Sequence, residues 1–259
     1  MKLSVSKDHK IYQIDLTSAV CLAIPYDYRG SQPNFYDTTP GEAVPFQQHN
    51  FTGKVKNNKG CNVMVIKQNI HCTGTHTECA GHIYEKNIYI NDVLLPGFVH
   101  SELISIKPIN WSETEESYHG NVNDNDMVIT KKGLEEKLSN SREGLAIRTM
   151  PNPKEKLTQK YKASNTAFFT TDAITFLKDL GVKHLVVDIP SIDRTNDNCM
   201  LGNHHRYFEN KPPFKKTITE LAFIPDSLDD GSYFMVIEIP PMQLDAAPSR
   251  PFLFKFEEK

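Results

Sequence analysis

Three histidines, a glutamate and two cysteines lie within twelve residues, in the segment HCTGTHTECAGH at positions 71–82. Imidazole, carboxylate and thiolate are the side-chain groups that bind divalent transition metals. His76 and Glu78 are two positions apart, so on an extended strand both side chains point to the same side. Gly74 allows the backbone to turn sharply just before them. The segment therefore predicts a strand that presents ligands to a cation; a threonine-rich turn with incidental histidines is the alternative.

The rest of the composition limits the class of protein. A chain of 259 residues can bury a sizeable core, and 39% hydrophobic with 24% charged residues is typical of a globular protein. The formal net charge of −3 shows no basic excess, so we expect no nucleic-acid partner. The N-terminus does not resemble a signal peptide and the apolar runs are too short to span a membrane. Five scattered cysteines favour reduced thiols, and so a cytoplasmic protein.

Hydrophobic patterning predicts more strands than helices. The clearest prediction is a helix that begins with a threonine cap at 170 or 171, continues with apolar residues at helical spacing and ends at Gly181. The apolar strand HLVVDIP follows it directly. A helix followed directly by a buried strand favours an α/β or α+β fold. Further strands are predicted at 63–66, 103–106, 145–148 and 232–239, a helix at 132–139, and an extended loop at 26–48 that is either a plain connection or a substrate lid.

The motif resembles the signature of the cyclase family of metal-dependent hydrolases, which includes bacterial kynurenine formamidases and isatin hydrolases. That signature is His-x-Gly-Thr-His-x-Asp-x-Pro-x-His. Four of its positions match outright: Gly74, Thr75, His76 and His82. The family's first His, its Asp and its Pro are replaced here by Cys72, Glu78 and Ala80. Five later segments resemble family segments in the same order: LAIRTM, VVDIPSID, HHRYF, ITEL and PSRPF.

The resemblance implies a fold and an assembly. The expected fold is the swivelling β/β/α arrangement, an α/β (α+β) protein with a mixed, barrel-like sheet and few helices. Because the matching segments span most of the chain, a single domain over residues 1–259 is implied. Family members self-associate, so a homo-oligomer, dimer or tetramer, is also implied.

The resemblance also implies the roles of individual residues. His76 and Glu78 bind the metal, and ungapped alignment favours Cys72 as the third ligand. The alternatives are His71, through a one-residue bulge, or neither residue, with a weak or absent metal. A second site that shares the motif carboxylate takes its later ligands from His205 and Glu220, which lie in HHRYF and ITEL. His82 is the acid–base residue.

Two of these assignments depend on local conformation. His204 and His205 point in opposite directions if their segment is extended, so only one can bind, and alignment of HRYF favours His205. Asp193 either orients a ligand histidine or caps a turn. Arg148 ends a strand and pairs with a carboxylate or with the substrate.

The expected function is hydrolysis of a carbon–nitrogen bond in a small amide, formamide or lactam, and an arylformamidase of the kynurenine formamidase type is the narrower form of this hypothesis. The cofactor is a divalent metal. Zinc is favoured over manganese if Cys72 binds, because thiolate selects zinc. The three replacements in the motif also support an alternative from another class, a non-catalytic metal- or ligand-binding protein on the same scaffold.

Overall fold

A computed structural model describes residues 1–7, 9–95, 97–138, 142–162, 166–208, 212 and 214–259. Its strands are, in chain order, β1 Lys2–Lys7, β2 Lys10–Asp15, β3 Val20–Cys21, β4 Glu42–Pro45, β5 Gln47–Gln48, β6 Phe51–Thr52, β7 Met64–Lys67, β8 His76–Glu78, β9 Val99–Ile106, β10 Ile109–Asn110, β11 Met127–Ile129, β12 Gly144–Thr149, β13 Phe168–Phe169, β14 His184–Val187, β15 Thr217–Glu220, β16 Gly231–Glu238, β17 Ala246–Pro248, β18 Arg250–Phe254 and β19 Phe256–Glu258. The α-helices of the described residues are α1 Ile90–Val93, α2 Lys131–Glu135, α3 Thr171–Asp179 and α4 Gly202–Tyr207.

Nine strands form one mixed sheet, in the order β17-β8-β15-β14-β12-β9-β16-β18-β3, which curls into a half-barrel. Strand β12 runs parallel to β9 and β14, and β14 runs parallel to β15, whereas the pairs at both ends of the sheet are antiparallel. The predicted mixed, barrel-like sheet with few helices is confirmed.

The predicted helix-and-strand unit is confirmed and explains much of the core. The Thr170 hydroxyl accepts a hydrogen bond from the Ala173 amide at 3.0 Å and so caps α3. Ile174 and Leu177 are fully buried beneath the helix, each contributing about 1.5–3 kcal/mol of hydrophobic stabilisation. Gly181 has φ of +82°, a conformation that ends the helix at little cost.

The other predicted elements also form, with shifted bounds. The four expected strands correspond to β7, β9, β12 and β16, and the expected helix at 132–139 corresponds to α2, which is shorter; residue 139 lies outside the described residues. Across the described residues, every helix is too short or too polar to traverse a lipid bilayer.

The register of β8 decides where the motif side chains meet the rest of the chain. β8 lies between β15 and β17. Glu220 of β15 is paired directly with His76, and Ile218 is paired with Glu78. Because residues opposite one another on neighbouring strands share a face, His76, Glu78 and Glu220 point to the same side of the sheet.

Candidate metal centre

The motif strand presents His76 and Glu78 from a fully buried position. Nδ1 of His76 donates a hydrogen bond to the carbonyl of Gly74 at 3.0 Å, so the lone pair of Nε2 is left facing the site. That Nε2 lies 3.6 Å from Oε2 of Glu220. The other oxygen of Glu220 accepts a hydrogen bond from the Ile192 amide at 3.0 Å, which fixes the carboxylate in place.

A fourth donor comes from α4. Nε2 of His204 lies 3.0 Å from Oε1 of Glu78 and 3.6 Å from Oε1 of Glu220. Nδ1 of the same ring donates a 2.7 Å hydrogen bond to Oδ2 of Asp193. Asp193 is itself held by the Tyr118 hydroxyl, at 3.1 Å, and by the Asn203 amide, at 2.9 Å. Asp193 therefore orients the ring, which was one of the two roles that the sequence left open for it.

The structure corrects the choice between the two adjacent histidines. The prediction of His205 assumed an extended segment, but α4 is helical, and successive residues of a helix point about 100° apart. His204 is buried in the site, whereas His205 is exposed and lies with its ring centroid 5.7 Å from the ring of Tyr84.

These four side chains, which we call the donor quartet (His76, Glu78, His204 and Glu220), belong to two overlapping groups of donor atoms that lie within 4.8 Å of one another. One group is His76, Glu78 and Glu220, and the other is Glu78, His82 and His204. Ligand atoms around a tetrahedral ion with bonds of about 2.0–2.1 Å are about 3.3 Å apart. The pairs His76–Glu220, His204–Glu78 and His204–Glu220 are 3.6, 3.0 and 3.6 Å apart, close to that spacing.

Unsatisfied polar atoms provide a test of whether a cation fits. Among the residues that the structure describes, Nε2 of His76, Nε2 of His204 and both carboxylate oxygens of Glu78 are buried without a hydrogen-bond partner. Leaving such atoms unpaired costs about 1–3 kcal/mol each, and more for a charged group. A divalent cation accepts lone pairs from all of them, so the residues present fit a metal ion.

Beside the quartet, His71, His82 and Asp245 bring three donor atoms within 4.8 Å of one another. Nδ1 of His82 donates to Oδ2 of Asp245 at 3.1 Å, and its Nε2 lies 3.7 Å from Oε2 of Glu78. Nε2 of His71 lies 3.0 Å from Asp245 and 3.8 Å from Glu78, without the alignment of a hydrogen bond. Glu78 is thus shared between the two groups.

Cys72 does not occupy the position that ungapped alignment assigns to it. Its side chain packs with Phe35, Tyr161 and Leu221, and burial raises the pKa of its thiol to about 11. The groups of three donor atoms within 4.8 Å, taken over the described residues, include His71 but not Cys72. Because adjacent side chains diverge in the turn before Gly74, only His71 joins a group of donor atoms, with His82 and Asp245, whereas the thiol of Cys72 packs in an apolar cluster.

The imidazoles and carboxylates of the site shift one another's pKa. Burial by itself would raise the pKa of Glu78, but His82, His204 and His71 hold it at about 2. Glu78 in turn raises the pKa of His82 against the opposing effect of burial. The neighbouring imidazoles of His71 and His82 hold the pKa of Asp245 well below its usual range. The carboxylate of Glu78 is therefore ionised and available as a ligand.

The site opens into a cavity of about 230 Å³. Glu78, His82, His204 and Glu220 line its polar wall, and its other walls consist of Phe35, Tyr36, Asn69, His71, Cys72, Pro190, Ser191 and Leu201. Two cavities of about 730 and 640 Å³ lie elsewhere and contain none of the quartet. The segment 26–48, predicted as an extended loop, contains the short strands β4 and β5 at its end, and it contributes Phe35 and Tyr36 to the lining of the cavity.

Other residues that the sequence raised lie outside the site. Arg148 pairs with Asp230 at 3.1 Å and also donates to the carbonyls of Pro225 and Leu228, so its role is structural.

Asp245 belongs to the site but was not predicted from the sequence. Its only signal was its position three residues before Pro248, the first residue of the PSRPF segment.

Comparison with known families decides the identity of the fold. The family model described as "Putative cyclase" matches residues 14–194, more than half of the chain. The chain belongs to the cyclase family. No curated protein matches it at the sequence level.

Solved structures of cyclase-family hydrolases have the same fold. A predicted metal-dependent hydrolase from Bacillus stearothermophilus is 18% identical, with a TM-score of 0.59 over 91% of this chain and 97% of that one. Isatin hydrolase A from Labrenzia aggregata, bound to benzyl benzoate, is 11% identical, with a TM-score of 0.60 over 91% and 93% of the two chains. A protein described as a novel cyclase is 13% identical, with a TM-score of 0.61 over 93% and 90%. The cyclase fold therefore extends over nearly the whole chain.

Proposed function

We propose that this protein is a metal-dependent hydrolase that cleaves a carbon–nitrogen bond in a small amide, formamide or lactam. The observation that carries the proposal is the donor quartet, whose ligand atoms are buried close together and three of whose side chains, Glu78, His204 and Glu220, line a cavity. Membership of the cyclase family and the fold shared with isatin hydrolase A support the reaction class.

The quartet would hold the cation. His76 and His204 supply imidazole nitrogen, and Glu78 and Glu220 supply carboxylate oxygen. Each histidine is fixed by a hydrogen bond from its other ring nitrogen, to the carbonyl of Gly74 and to Asp193. Such bonds set the tautomer and the orientation of a ligand ring.

A bound divalent cation lowers the pKa of water and polarises a scissile carbonyl. His82 moves the proton. Since Asp245 accepts the hydrogen of Nδ1, the lone pair of Nε2 is directed to Glu78 and the cavity. His82 can take a proton from the attacking water and deliver it to the leaving nitrogen as the carbon–nitrogen bond breaks, so that the water oxygen remains on the carbonyl carbon.

The cavity limits the substrate. About 230 Å³ is below the usual range of about 300–1,000 Å³ for ligand pockets, which favours a small molecule. Phe35 and Tyr36 line it with ring centroids 4.0 Å apart and ring planes tilted by 39°, and they offer aromatic surface to a substrate ring. An aromatic formamide or lactam meets both conditions, and an arylformamidase is the narrower form of the proposal.

The structure changes the argument about the metal. The preference for zinc rested on the thiolate of Cys72, and that thiol packs in an apolar cluster. Two imidazoles and two carboxylates suit zinc and also suit manganese. The assay described below therefore uses both zinc and manganese.

The adjacent histidines of α4 provide a matched pair of variants. The wild-type protein, His204→Ala and His205→Ala are purified without chelator, their metal content is measured, and each is assayed on aryl formamides, lactams and isatin-like compounds with Zn²⁺ or Mn²⁺. We expect metal and activity in the wild-type protein and in His205→Ala, and loss of both in His204→Ala. An equal metal content in all three proteins would refute the assignment of the quartet as the metal ligands.

The role of His82 has a separate test. His82→Ala should lower turnover by roughly two to four orders of magnitude and leave the metal content intact. Stoichiometric metal in the wild-type protein without hydrolysis of any of these compounds would instead favour the non-catalytic binding protein.

A further inference from the structure

A cavity of about 730 Å³, which we call the amino-end cavity, lies at the opposite end of the central strands from the metal centre. The strands β12, β14 and β15 run parallel, and Glu220 of the quartet is the last residue of β15. Arg142 and Glu143 come just before β12 and Lys183 just before β14, so these lining residues lie at the amino ends of the strands. The amino-end cavity and the cavity at the metal centre share none of their lining residues.

The other wall of the amino-end cavity comes from the three-stranded sheet of β1, β2 and β19. Lys7 is the last residue of β1 and is paired with Lys10, the first residue of β2. Tyr12 follows on β2 and is paired with Glu258 on β19. The family model matches residues 14–194, so all four of these residues lie outside the matched part of the chain. Membership of the cyclase family therefore predicts nothing about a ligand at this wall.

Three aromatic rings line the cavity. The ring centroid of Tyr12 lies 5.4 Å from that of His100 and 5.3 Å from that of Phe256, and the rings of His100 and Phe256 are 5.5 Å apart. Aromatic side chains pack favourably with a further ring in offset or edge-to-face arrangements. The wall therefore favours a ligand that contains a planar ring.

The charged residues of the lining are mainly cationic. Four cations face two carboxylates there; the cations are Lys7, Lys10, Arg142 and Lys183, and the carboxylates are Glu143 and Glu258. Arg142 also pairs at 3.2 Å with Glu102, which is not part of the lining, and a positive excess remains when that carboxylate is counted. The chain as a whole has a formal net charge of −3, so the excess is local. Because a cavity lined by an excess of one sign attracts the opposite sign, we expect an anionic ligand.

Glu143 holds two of the lysines in place. Nζ of Lys7 donates to one of its oxygens at 2.9 Å, and Nζ of Lys183 donates to the other at 3.0 Å. The hydrogen bond from Lys7, together with that from Lys183, holds the pKa of the Glu143 carboxyl at about 2, so the group stays ionised. Because an ammonium group carries three donors and Glu143 takes one from each lysine, donors remain for a second carboxylate.

We propose that the amino-end cavity binds a small aromatic acid, a planar ring that carries a carboxylate. The carboxylate is bound by Lys7 and Lys183, and the ring packs against Tyr12, His100 and Phe256. The volume of about 730 Å³ is within the usual range of about 300–1,000 Å³ for ligand pockets. This inference does not depend on the proposed reaction, because its test measures binding and includes a variant of the metal site.

Calorimetric titration of the metal-loaded full chain with 2-naphthoate tests the proposal. 2-Naphthamide, which has the same ring without the charge, should bind at least about tenfold more weakly, because charged hydrogen bonds are roughly twice as strong as neutral ones. Added salt should weaken the binding of 2-naphthoate but not that of 2-naphthamide. In NMR spectra, the shift changes caused by 2-naphthoate should centre on the amides of Gly181 and Ser232, which line the cavity.

Three variants of equal chemistry locate the carboxylate. Lys7→Gln and Lys183→Gln should each lower the affinity for 2-naphthoate by about fivefold to tenfold, since each removes a charged donor that is partly exposed. Lys2→Gln, on the same strand as Lys7 but outside the lining, should change the affinity by less than about twofold. Lys2 also pairs with a glutamate, Glu257, at 3.3 Å, which makes it a matched control. Urea unfolding of the three variants controls for stability.

His204→Ala separates the amino-end cavity from the metal centre, because a bound cation also attracts carboxylates. We expect this variant to bind 2-naphthoate as the wild-type protein does. Loss of binding in His204→Ala, unchanged binding in both Lys7→Gln and Lys183→Gln, or equal affinities for 2-naphthoate and 2-naphthamide would overturn the proposal. Acetate that binds as tightly as 2-naphthoate, or 2-naphthyl phosphate that binds at least about tenfold more tightly, would refute the assignment to aromatic carboxylates.

Discussion

Asp245 accepts a hydrogen bond from Nδ1 of His82 at 3.1 Å, although 163 residues separate the two in sequence. The carboxylate belongs to the segment just before β17, and His82 ends the short 3₁₀ turn that follows the motif strand. The pairing of β17 with β8 brings them together. The acid–base residue of the proposed reaction is thus oriented from the opposite end of the chain.

Asp245→Asn is expected to lower turnover by roughly tenfold to a hundredfold, the usual cost of losing a residue that orients a functional histidine. The amide retains the shape but not the charge, so the tautomer of His82 is no longer fixed. Metal content should stay at the wild-type level, because Asp245 is outside the quartet. Steady-state kinetics and metal analysis on the same preparation check both points. Equal turnover in the two proteins would remove Asp245 from the site's function.

Asp193→Asn is expected to act on metal affinity instead. Asp193 holds Nδ1 of His204 at 2.7 Å, and replacing the partner of a ligand histidine typically weakens metal binding by about tenfold to a hundredfold. Competition with a chromogenic chelator measures the dissociation constant. His205→Ala is the control, because His205 is adjacent to His204 on α4 but is exposed and outside the site. Unchanged affinity in Asp193→Asn would contradict the assigned role.

Cys72→Ala is expected to keep the wild-type metal stoichiometry, because the thiol packs with Phe35 and Tyr161 and lies in none of the described donor groups. Its cost should be a loss of unfolding free energy of about 1 kcal/mol from the small cavity. His71→Ala, the matched change next to it, should lower turnover by disturbing Asp245 and Glu78. Metal analysis of the pair is decisive: loss of metal in Cys72→Ala alone would restore the thiol as a ligand.

The buried His184 predicts a pH dependence of stability. It is 9% exposed, its Nδ1 lies 2.9 Å from the Thr217 hydroxyl, and burial lowers its pKa from 6.5 to about 4. Between these values the unfolded chain binds a proton that the folded chain does not, so stability falls as the pH falls from about 6.5 to about 4. The loss between about pH 7.5 and pH 5 should be about 2 kcal/mol for this residue.

Urea unfolding of wild-type protein and His184→Gln at both pH values measures that contribution. The variant should be the less stable protein at pH 7.5, by about 1 kcal/mol for the lost hydrogen bond, and should lose about 2 kcal/mol less on acidification. Parallel pH dependences in the two proteins would contradict the prediction.

The sequence predicted those elements that depend on interactions between neighbouring residues. The α3 unit could be predicted because the Thr170 cap, the apolar spacing and Gly181 all lie within a dozen residues. His76, Glu78 and Glu220 were expected to meet, and the register of β8 and β15 explains how they do. The fold itself came from the resemblance, since periodicity does not specify the order of nine strands.

The remaining site residues depend on conformations that the sequence does not encode locally. The segment GNHHRY has no apolar periodicity, so its six-residue helix, and hence His204 over His205, could not be predicted. His71 and Cys72 are distinguished only by the course of a turn that Tyr26 closes, with its ring against Gly74. Asp245 is brought in by strand pairing across the whole chain.

The position of β8 between β15 and β17 has a consequence for synthesis on the ribosome. The motif strand is made early, but its first neighbour, β15, appears about 140 residues later and its second, β17, close to the C-terminus. Until both arrive, the backbone edges of β8 and its ligands remain in water. The donor groups are therefore completed only once β17 has been made, and a nascent or truncated polypeptide that lacks β17 leaves one edge of the motif strand unpaired.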